Sequence, residues 1–256
     1  HVERELRERV RCARPPGQQQ AVYAIDGCDR IVAKNALWML LERHYDRNVA
    51  RTIVPETYVL RNAEHMRAFV RAYNKGQLYI LKKNIQRKEG LKLTSSLEAV
   101  LRGSMLGYVV VQRYLKDVHL VPARDGHKLN LRLYVAIVCD PSGGRRRAYL
   151  HHRAGKCMYT ARPYDRSSVD FEQQITSVEL RPEVYRSLPL TLEELRLHWQ
   201  TRGIRYDDVW RRIVAQMALV ARAVLPHVCI LRHCQHSVRF QLFGADVILD
   251  RDLHPY

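Results

Sequence analysis

Three groups of residues in this chain have types and spacings suited to chemistry on an anionic ligand. Lys82 leaves an apolar lead-in, Tyr79-Ile-Leu81, and enters a basic loop that closes at Gly90 before Leu91-Lys-Leu93. An ammonium at a strand end can neutralise nucleotide phosphates while loop amides cover the oxygens, although lysine-rich hairpins are more often solvated surface. Lys128, Asn130 and Arg132 alternate along a run that reads as strand, so all three fall on one face and can converge on one ligand. Finally, Phe240-Gln-Leu-Phe-Gly-Ala-Asp-Val-Ile-Leu-Asp250 reads as a strand with Asp246 on the same side as Leu242 and Ile248. A carboxylate among apolar neighbours is costly unless a metal, a cation or a proton compensates it. The alternative is a carboxylate at a solvated strand end.

Other candidates are weaker. His227-Val-Cys229-Ile-Leu-Arg-His233-Cys234-Gln-His236 has residue types that suit zinc, but its spacing matches no familiar finger or ribbon. A strand entry with small buried cysteines is the preferred reading. The six cysteines (Cys12, Cys28, Cys139, Cys157, Cys229, Cys234) show no disulfide-framework spacing, so reduced intracellular thiols are expected. His151-His152 has no serine or cysteine nucleophile in a recognisable elbow nearby and reads as structural or surface.

The elements that must position these groups follow from periodicity. Helices are predicted over Asn35 to Asn48, with Asn35 as a possible cap, and from the Asn62 cap to Lys75-Gly76, with a Met66, Phe69, Val70, Tyr73 stripe. Two more run from about Thr191 to Gln200 and from Asp207 to Leu225. The last carries Trp210, Val214, Met217 and Ala221 at core spacing. Strands are predicted at Pro55 to Leu60, Leu78 to Leu81, Leu91 to Thr94, Tyr108 to Gln112 and Leu129 to Val138. A hairpin loop at Pro141 to Arg147 returns through Tyr149 to His152. Hairpin-rich β-structure flanked by helices defines an α+β fold rather than a doubly wound sheet.

The 256 residues suffice for one large domain or two small ones. The expected division is a charged N-terminal segment and polar break over 1–20, a preceding portion over 21–76, and a main domain over 77–256. No apolar run approaches the roughly 20 residues needed to cross a bilayer. The net charge of +17, carried mostly by arginine, suits nucleic acid, phosphorylated ligands, anionic lipid or acidic protein tails. Nucleic acid is supported by charge alone, since aromatics make up only 8% and no zinc finger or stacked-aromatic platform is apparent.

Four segments in order resemble the tubulin–tyrosine ligase-like family of the ATP-grasp superfamily. They are the Lys82 hairpin, Val110-Val-Gln-Arg-Tyr-Leu115, Lys128-Leu-Asn-Leu-Arg132 and the Asp246 strand, with Pro55-Glu-Thr-Tyr58 upstream. The resemblance covers about residue 30 to the end. It implies two α+β lobes clasping ATP and Mg²⁺, and ligation of a free amino acid (Tyr, Glu or Gly) to a protein carboxylate through an acyl phosphate. Carried over by position, Lys82 holds nucleotide phosphates. Gln112, Arg113, Tyr114 and Leu115 form the hinge beside adenine, where backbone groups read the base edge. Lys128 and Arg132 act near phosphate or the substrate carboxylate, with Asn130 standing where the family has Asp. Asp246 is a magnesium ligand and Thr176 is the remnant of a further motif. Gly155 and Pro163-Tyr164 match another stretch, in which Met158 replaces an arginine that Arg153 or Arg162 would have to supply.

The family's final Glu-x-Asn would fall beyond Tyr256, so the segment is expected to be a piece of a longer protein and by itself inactive. The resemblance also implies an acidic acceptor such as the tubulin C-terminal tail, no membrane, and a cytoplasmic, microtubule-associated location. A non-catalytic relative that binds an acidic partner or the microtubule surface is the second reading.

Overall fold

The computed structural model describes residues 20–85, 90–121, 126–140, 144–176, 181–230 and 237–256. Two sheets carry the architecture. The larger is built on β7 (His127–Asp140), which pairs antiparallel with β9 (Ser237–Ile248), with β8 (Arg145–Tyr159) and, at its start, with β6 (Leu120–Val121). β1 (Gln20–Val22) adds in parallel to β9. The smaller sheet runs β2 (Thr57–Val59), β5 (Val110–Arg113), β3 (Tyr79–Lys82), β4 (Leu91–Thr94), all antiparallel. Since β2 pairs with β5, this sheet runs across position 76.

The helices are α1 (Cys28–Val32), α2 (Lys34–Tyr45), α3 (Arg47–Ile53), α4 (Ala63–Ala72), α5 (Leu97–Leu101), α6 (Phe171–Gln174), α7 (Pro182–Tyr185), α8 (Leu192–Gln200) and α9 (Tyr206–Val224). The mixed composition expected from the sequence is present. One core forms where Leu129, Leu131 and Leu133 of β7 meet Leu195 and Trp199 of α8 and Ile213 of α9. Alternation then leaves Lys128, Asn130 and Arg132 on the opposite face of the same strand. A second core packs Phe69 of α4 against Tyr58, Tyr79, Leu81 and Val111 of the small sheet. Trp38 and Leu41 of α2 join Val59, Val110 and Ala223 of α9, tying small sheet to large.

Several sequence expectations are corrected. The helix predicted over 35–48 breaks at Asp46, whose φ of 71° interrupts it. The Asp46 carboxylate then caps α3 by accepting from the amides of Asn48 and Val49. Asn35 is not a cap; its side chain accepts from Asn84 Nδ2, which anchors the lysine hairpin to α2. Asn62 does cap α4, but Val70 and Val214 face solvent at 47% and 43% exposure. Nor are all the thiols reduced, because Cys139 and Cys229 form a disulfide. The spacing rule failed because it looks for small stapled loops, whereas this bond joins residues 90 apart.

Candidate active site between the two sheets

Lys82 ends β3, and its Nζ donates to Gln112 Oε1 at 2.6 Å. Gln112 is held in turn from the upstream segment: its Nε2 donates to the Pro55 carbonyl (3.2 Å) and to Thr57 Oγ1 (2.8 Å). The Pro-x-Thr motif therefore orients the glutamine that orients the lysine. Lys83 turns elsewhere, its Nζ lying 5.1 Å from the Tyr108 ring centroid. Lys82, not Lys83, is thus the lysine that joins the other candidates.

Lys128 enters from the large sheet and is only 3% exposed. Its Nζ donates to Tyr114 Oη at 2.8 Å and lies 4.3 Å from the centre of that ring. The Tyr114 hydroxyl donates to the Gln174 carbonyl at 2.7 Å, and burial raises its pKa. Thr160 exchanges hydrogen bonds with Lys128 and bridges to Thr176, which places Thr176 one strand from the lysine. Burial and the neighbouring Lys82 push Lys128 down to about 7; burial, with Lys34 nearby, pushes Lys82 down to about 8, opposed by Asp246. Among the described residues neither lysine has a carboxylate within ion-pair distance.

Beyond Lys128 the same face continues in rows across three strands. Asn130 stands between Ile248 and Met158, and Arg132 between Asp246 and Lys156. Asn130 is 8% exposed, and its Oδ1 has no hydrogen-bond partner among the described residues. Such an orphaned acceptor is costly unless a ligand satisfies it. Arg132 grips Asp246 with two bonds, Nε to Oδ1 at 2.5 Å and Nη2 to Oδ2 at 3.1 Å. A Cβ on Gly244 would lie 3.1 Å from Arg132 Cδ, so the glycine makes room for the guanidinium.

Asp246 is therefore not a carboxylate among apolar neighbours. It lies on the open face, and a cation compensates it. The periodicity placed it correctly on the side of Leu242, but that side is exposed rather than core.

The four positions expected as a hinge differ in how their backbone and side chains are engaged. The Arg113 amide donates to Glu56 and the Tyr114 amide to Leu78, and the Arg113 side chain bonds Gln77 outside the site. The backbone groups of Leu115 have no hydrogen-bond partner among the described residues. The side chains of Gln112 and Tyr114, expected only as backbone contributors, are the ones that hold the two lysines. Their signal was alternation, which puts 112 and 114 on the same face as Lys82's neighbour Ile80. Arg162 is engaged by Asp170 and Glu172 and does not stand in for an arginine at Met158.

The remaining candidates have structural roles. His151 Nδ1 accepts from the amides of Arg153 and Ala154, and His152 packs edge-on against Trp210. Cys229 is in the disulfide, and 231–236 lie outside the described residues. Among the described residues no group of three histidine, cysteine or acidic side chains could hold a metal, and no helix is long and apolar enough to cross a membrane.

This donor set fits a polyphosphate: one buried and one half-buried ammonium group, with no carboxylate within ion-pair distance among the described residues, and an orphaned amide oxygen. For magnesium the described residues offer one carboxylate, already held by Arg132, which is an incomplete set.

Two sheets closing on a cationic seam define an ATP-grasp-like α+β fold. The tubulin-tyrosine ligase family matches residues 12–256, and the chain belongs to that family. It is 23% identical to mouse tubulin polyglutamylase TTLL6 over 185 residues, covering 65% of this chain and 21% of the relative. It is 26% identical to tubulin polyglutamylase ttll-5 of Caenorhabditis elegans over 237 residues, covering 79% and 31% respectively. The chain thus spans between a fifth and a third of the length of these curated relatives.

Proposed function

We propose that this chain carries the nucleotide-binding and catalytic seam of an ATP-dependent ligase that adds an amino acid, by preference glutamate, to a carboxylate of an acidic tubulin-like tail. The observation that carries the reading is Lys128, 3% exposed and pushed down in part by the charge of half-buried Lys82, with no carboxylate within ion-pair distance of either among the described residues. Family membership supports the reaction class, and the names of the relatives favour glutamate over tyrosine or glycine.

An acceptor carboxylate oxygen takes the γ-phosphoryl group and ADP departs. The amine of the incoming amino acid then displaces phosphate from the acyl carbon and releases its proton. Lys82, fixed by Gln112, and Lys128, fixed by Tyr114, hold the phosphates and neutralise the charge that develops on the transferring group. Asn130 supplies its unfilled oxygen to a donor on the nucleotide or to a cation. Were Mg²⁺ to bind, Asp246 would be its one carboxylate among the described residues, and the ion would supply charge neutralisation at the phosphoryl oxygens. Arg132 is placed to exchange Asp246 for a substrate carboxylate.

The test is ADP release with Mg·ATP, an acidic tail peptide and an amino-acid mixture, followed by mass spectrometry of the peptide. A gain of one residue's mass, lost in Lys82→Ala, is expected. ATP binding without mass gain would redirect the acceptor assignment, and no ATP binding would sink the reading. A second reading, a non-catalytic module for an acidic partner, draws on the Arg132–Asp246 pair being closed on itself. It predicts peptide binding that ATP leaves unchanged.

A further inference from the structure

A second cleft, of about 360 Å³, opens between α2 and α4 and includes none of the residues of the candidate site. Helical spacing builds its walls. Met39, Arg43 and Asp46 recur at i, i+4 and i+7 down α2 to its C-cap, and Glu64 and Arg71 stand seven apart on α4.

The floor is fixed in place. Buried His65 accepts the Val59 amide on Nδ1 at 3.0 Å, so its proton sits on Nε2 and faces Glu42 Oε2 at 2.9 Å. Burial holds the pKa of the ring below its ordinary value and keeps it neutral. The other oxygen of Glu42 takes Arg47 Nη2 at 2.7 Å. The Arg47 guanidinium lies 4.7 Å from the Tyr58 ring centre and 5.7 Å from that of Trp38, which with the carboxylate sets its orientation. Its Nη1 is withdrawn from water and has no hydrogen-bond partner among the described residues.

What the cleft lacks is an acceptor. Arg43 and Arg71 are exposed, one on each wall, and neither has an ion pair or a side-chain hydrogen bond among the described residues. Three acids line the cleft as well, but two are occupied: Glu42 through both oxygens, and Asp46 by the two amides it caps. Asn62 uses its Oδ1 to cap α4, which leaves its amide nitrogen to donate. Two arginines, Arg47 Nη1 and the Asn62 amide group are therefore set against the one unengaged carboxylate, Glu64. The helix amides at this end are already capped, so an occupant is met by side chains.

We infer that this cleft is a second anion site, separate from the nucleotide seam, which takes a compact polyvalent oxyanion, a phosphomonoester or a dicarboxylate. Arg43 and Arg71 close on it from the two walls with their planar forks, and Arg47 meets it from the floor. The site goes beyond the proposed function and does not depend on it.

The test is isothermal titration of the whole protein with inorganic phosphate and with succinate, against sodium chloride at matched ionic strength. Saturable binding of at least one of the two is expected, and the one that binds identifies the source of the oxyanion. Arg43→Ala with Arg71→Ala should weaken that binding about tenfold at an unchanged melting temperature, while the Kd for ATP holds. Lys128→Met, which removes a cation of the seam, should retain the anion site.

Binding that is lost in Lys128→Met and kept in the double arginine variant would put the anion in the seam and overturn the cleft. No binding of either anion by the wild type, or a signal that chloride reproduces, would overturn it as well. Equal weakening of ATP and the anion by the double variant would do the same, by showing only a general loss of positive charge. Anion binding and its loss as described, with no ATP binding by the wild type, would defeat the proposed function and leave the cleft standing.

Discussion

Lys128 shows how a single residue ties stability to function. Its ammonium is buried beside a second lysine, so the folded protein without ligand holds it down at about 7 against an ordinary 10.5. The folded state therefore carries a penalty at and below pH 7 that is relieved as pH rises toward the ordinary lysine value. A polyanion reverses this preference, because it binds the charged forms of Lys128 and of Lys82, held at about 8. ATP affinity is expected to fall as pH rises from 7 to 9, with net proton uptake on binding at pH 8. Calorimetry in two buffers of different ionisation heat measures that uptake, and zero uptake would reject the assignment. Lys128→Met should abolish nucleotide binding yet raise the melting temperature at pH 7, since an apolar side chain of similar length removes a buried, unpaired charge (~1 kcal/mol or more). That Lys128, Asn130 and Arg132 share one strand face was legible in the sequence from alternation, and the structure keeps them there. What was not legible is which group answers which. Nothing in the spacing pairs Arg132 with Asp246, 114 residues away, or marks Asn130 Oδ1 as orphaned; those are products of register.

At the scale of elements, legibility follows the strength of local signals. Thr191 was read as the start of a helix, and it closes a full capping box with Glu194. β4 was found at its observed bounds because β-branched and aliphatic alternation is clean there. β8 was cut short at His152 because four residues, 151–154, bulge out between the pairs Leu133–Gly155 and Val135–Leu150. The bulge breaks the two-residue period on which a sequence reading depends. Its exit at Gly155 is a packing requirement: a Cβ there would lie 2.6 Å from Leu192 Cδ1 and 3.1 Å from the Arg132 carbonyl. Gly155→Ala is expected to push α8 off the sheet and destabilise the protein by ~1–3 kcal/mol, read as a lower denaturation midpoint. Because Arg132 lies directly under that contact, the same variant should weaken turnover beyond its effect on stability. A variant of normal midpoint would show that α8 gives way freely and that the glycine has another role.

On the scale of the whole molecule, the far end of the large sheet is held by several unlike fastenings on one short segment. Asp26 and Arg239 form an ion pair at 0% and 4% exposure. The Ile230 amide donates to the Asp26 carboxylate at 2.7 Å and the Cys229 amide to the Asp26 carbonyl at 3.0 Å. Arg146 donates to the carbonyls of Leu225 and Pro226, and Gly27, at φ +82°, lets the chain approach the His227 carbonyl closely. The Cys139–Cys229 disulfide ties this segment to β7, with Cys28 packed in the same apolar cluster. These groups lie at the outer end of β7 and β9, on the face that carries Ile137 and Cys139. None was legible as a unit, because each bond joins residues remote in sequence, and composition alone argued for free thiols. Closing a loop of 90 residues removes much freedom from the unfolded chain, so reduction is expected to cost about 2–4 kcal/mol. Thermal denaturation with and without excess dithiol should show the loss. Alkylation of the denatured, unreduced protein followed by peptide mapping should leave Cys139 and Cys229 unmodified while Cys157 is labelled. Full labelling of Cys139 and Cys229 with no shift on adding dithiol would show that the ion pair and backbone contacts at Asp26 hold this end without the bond.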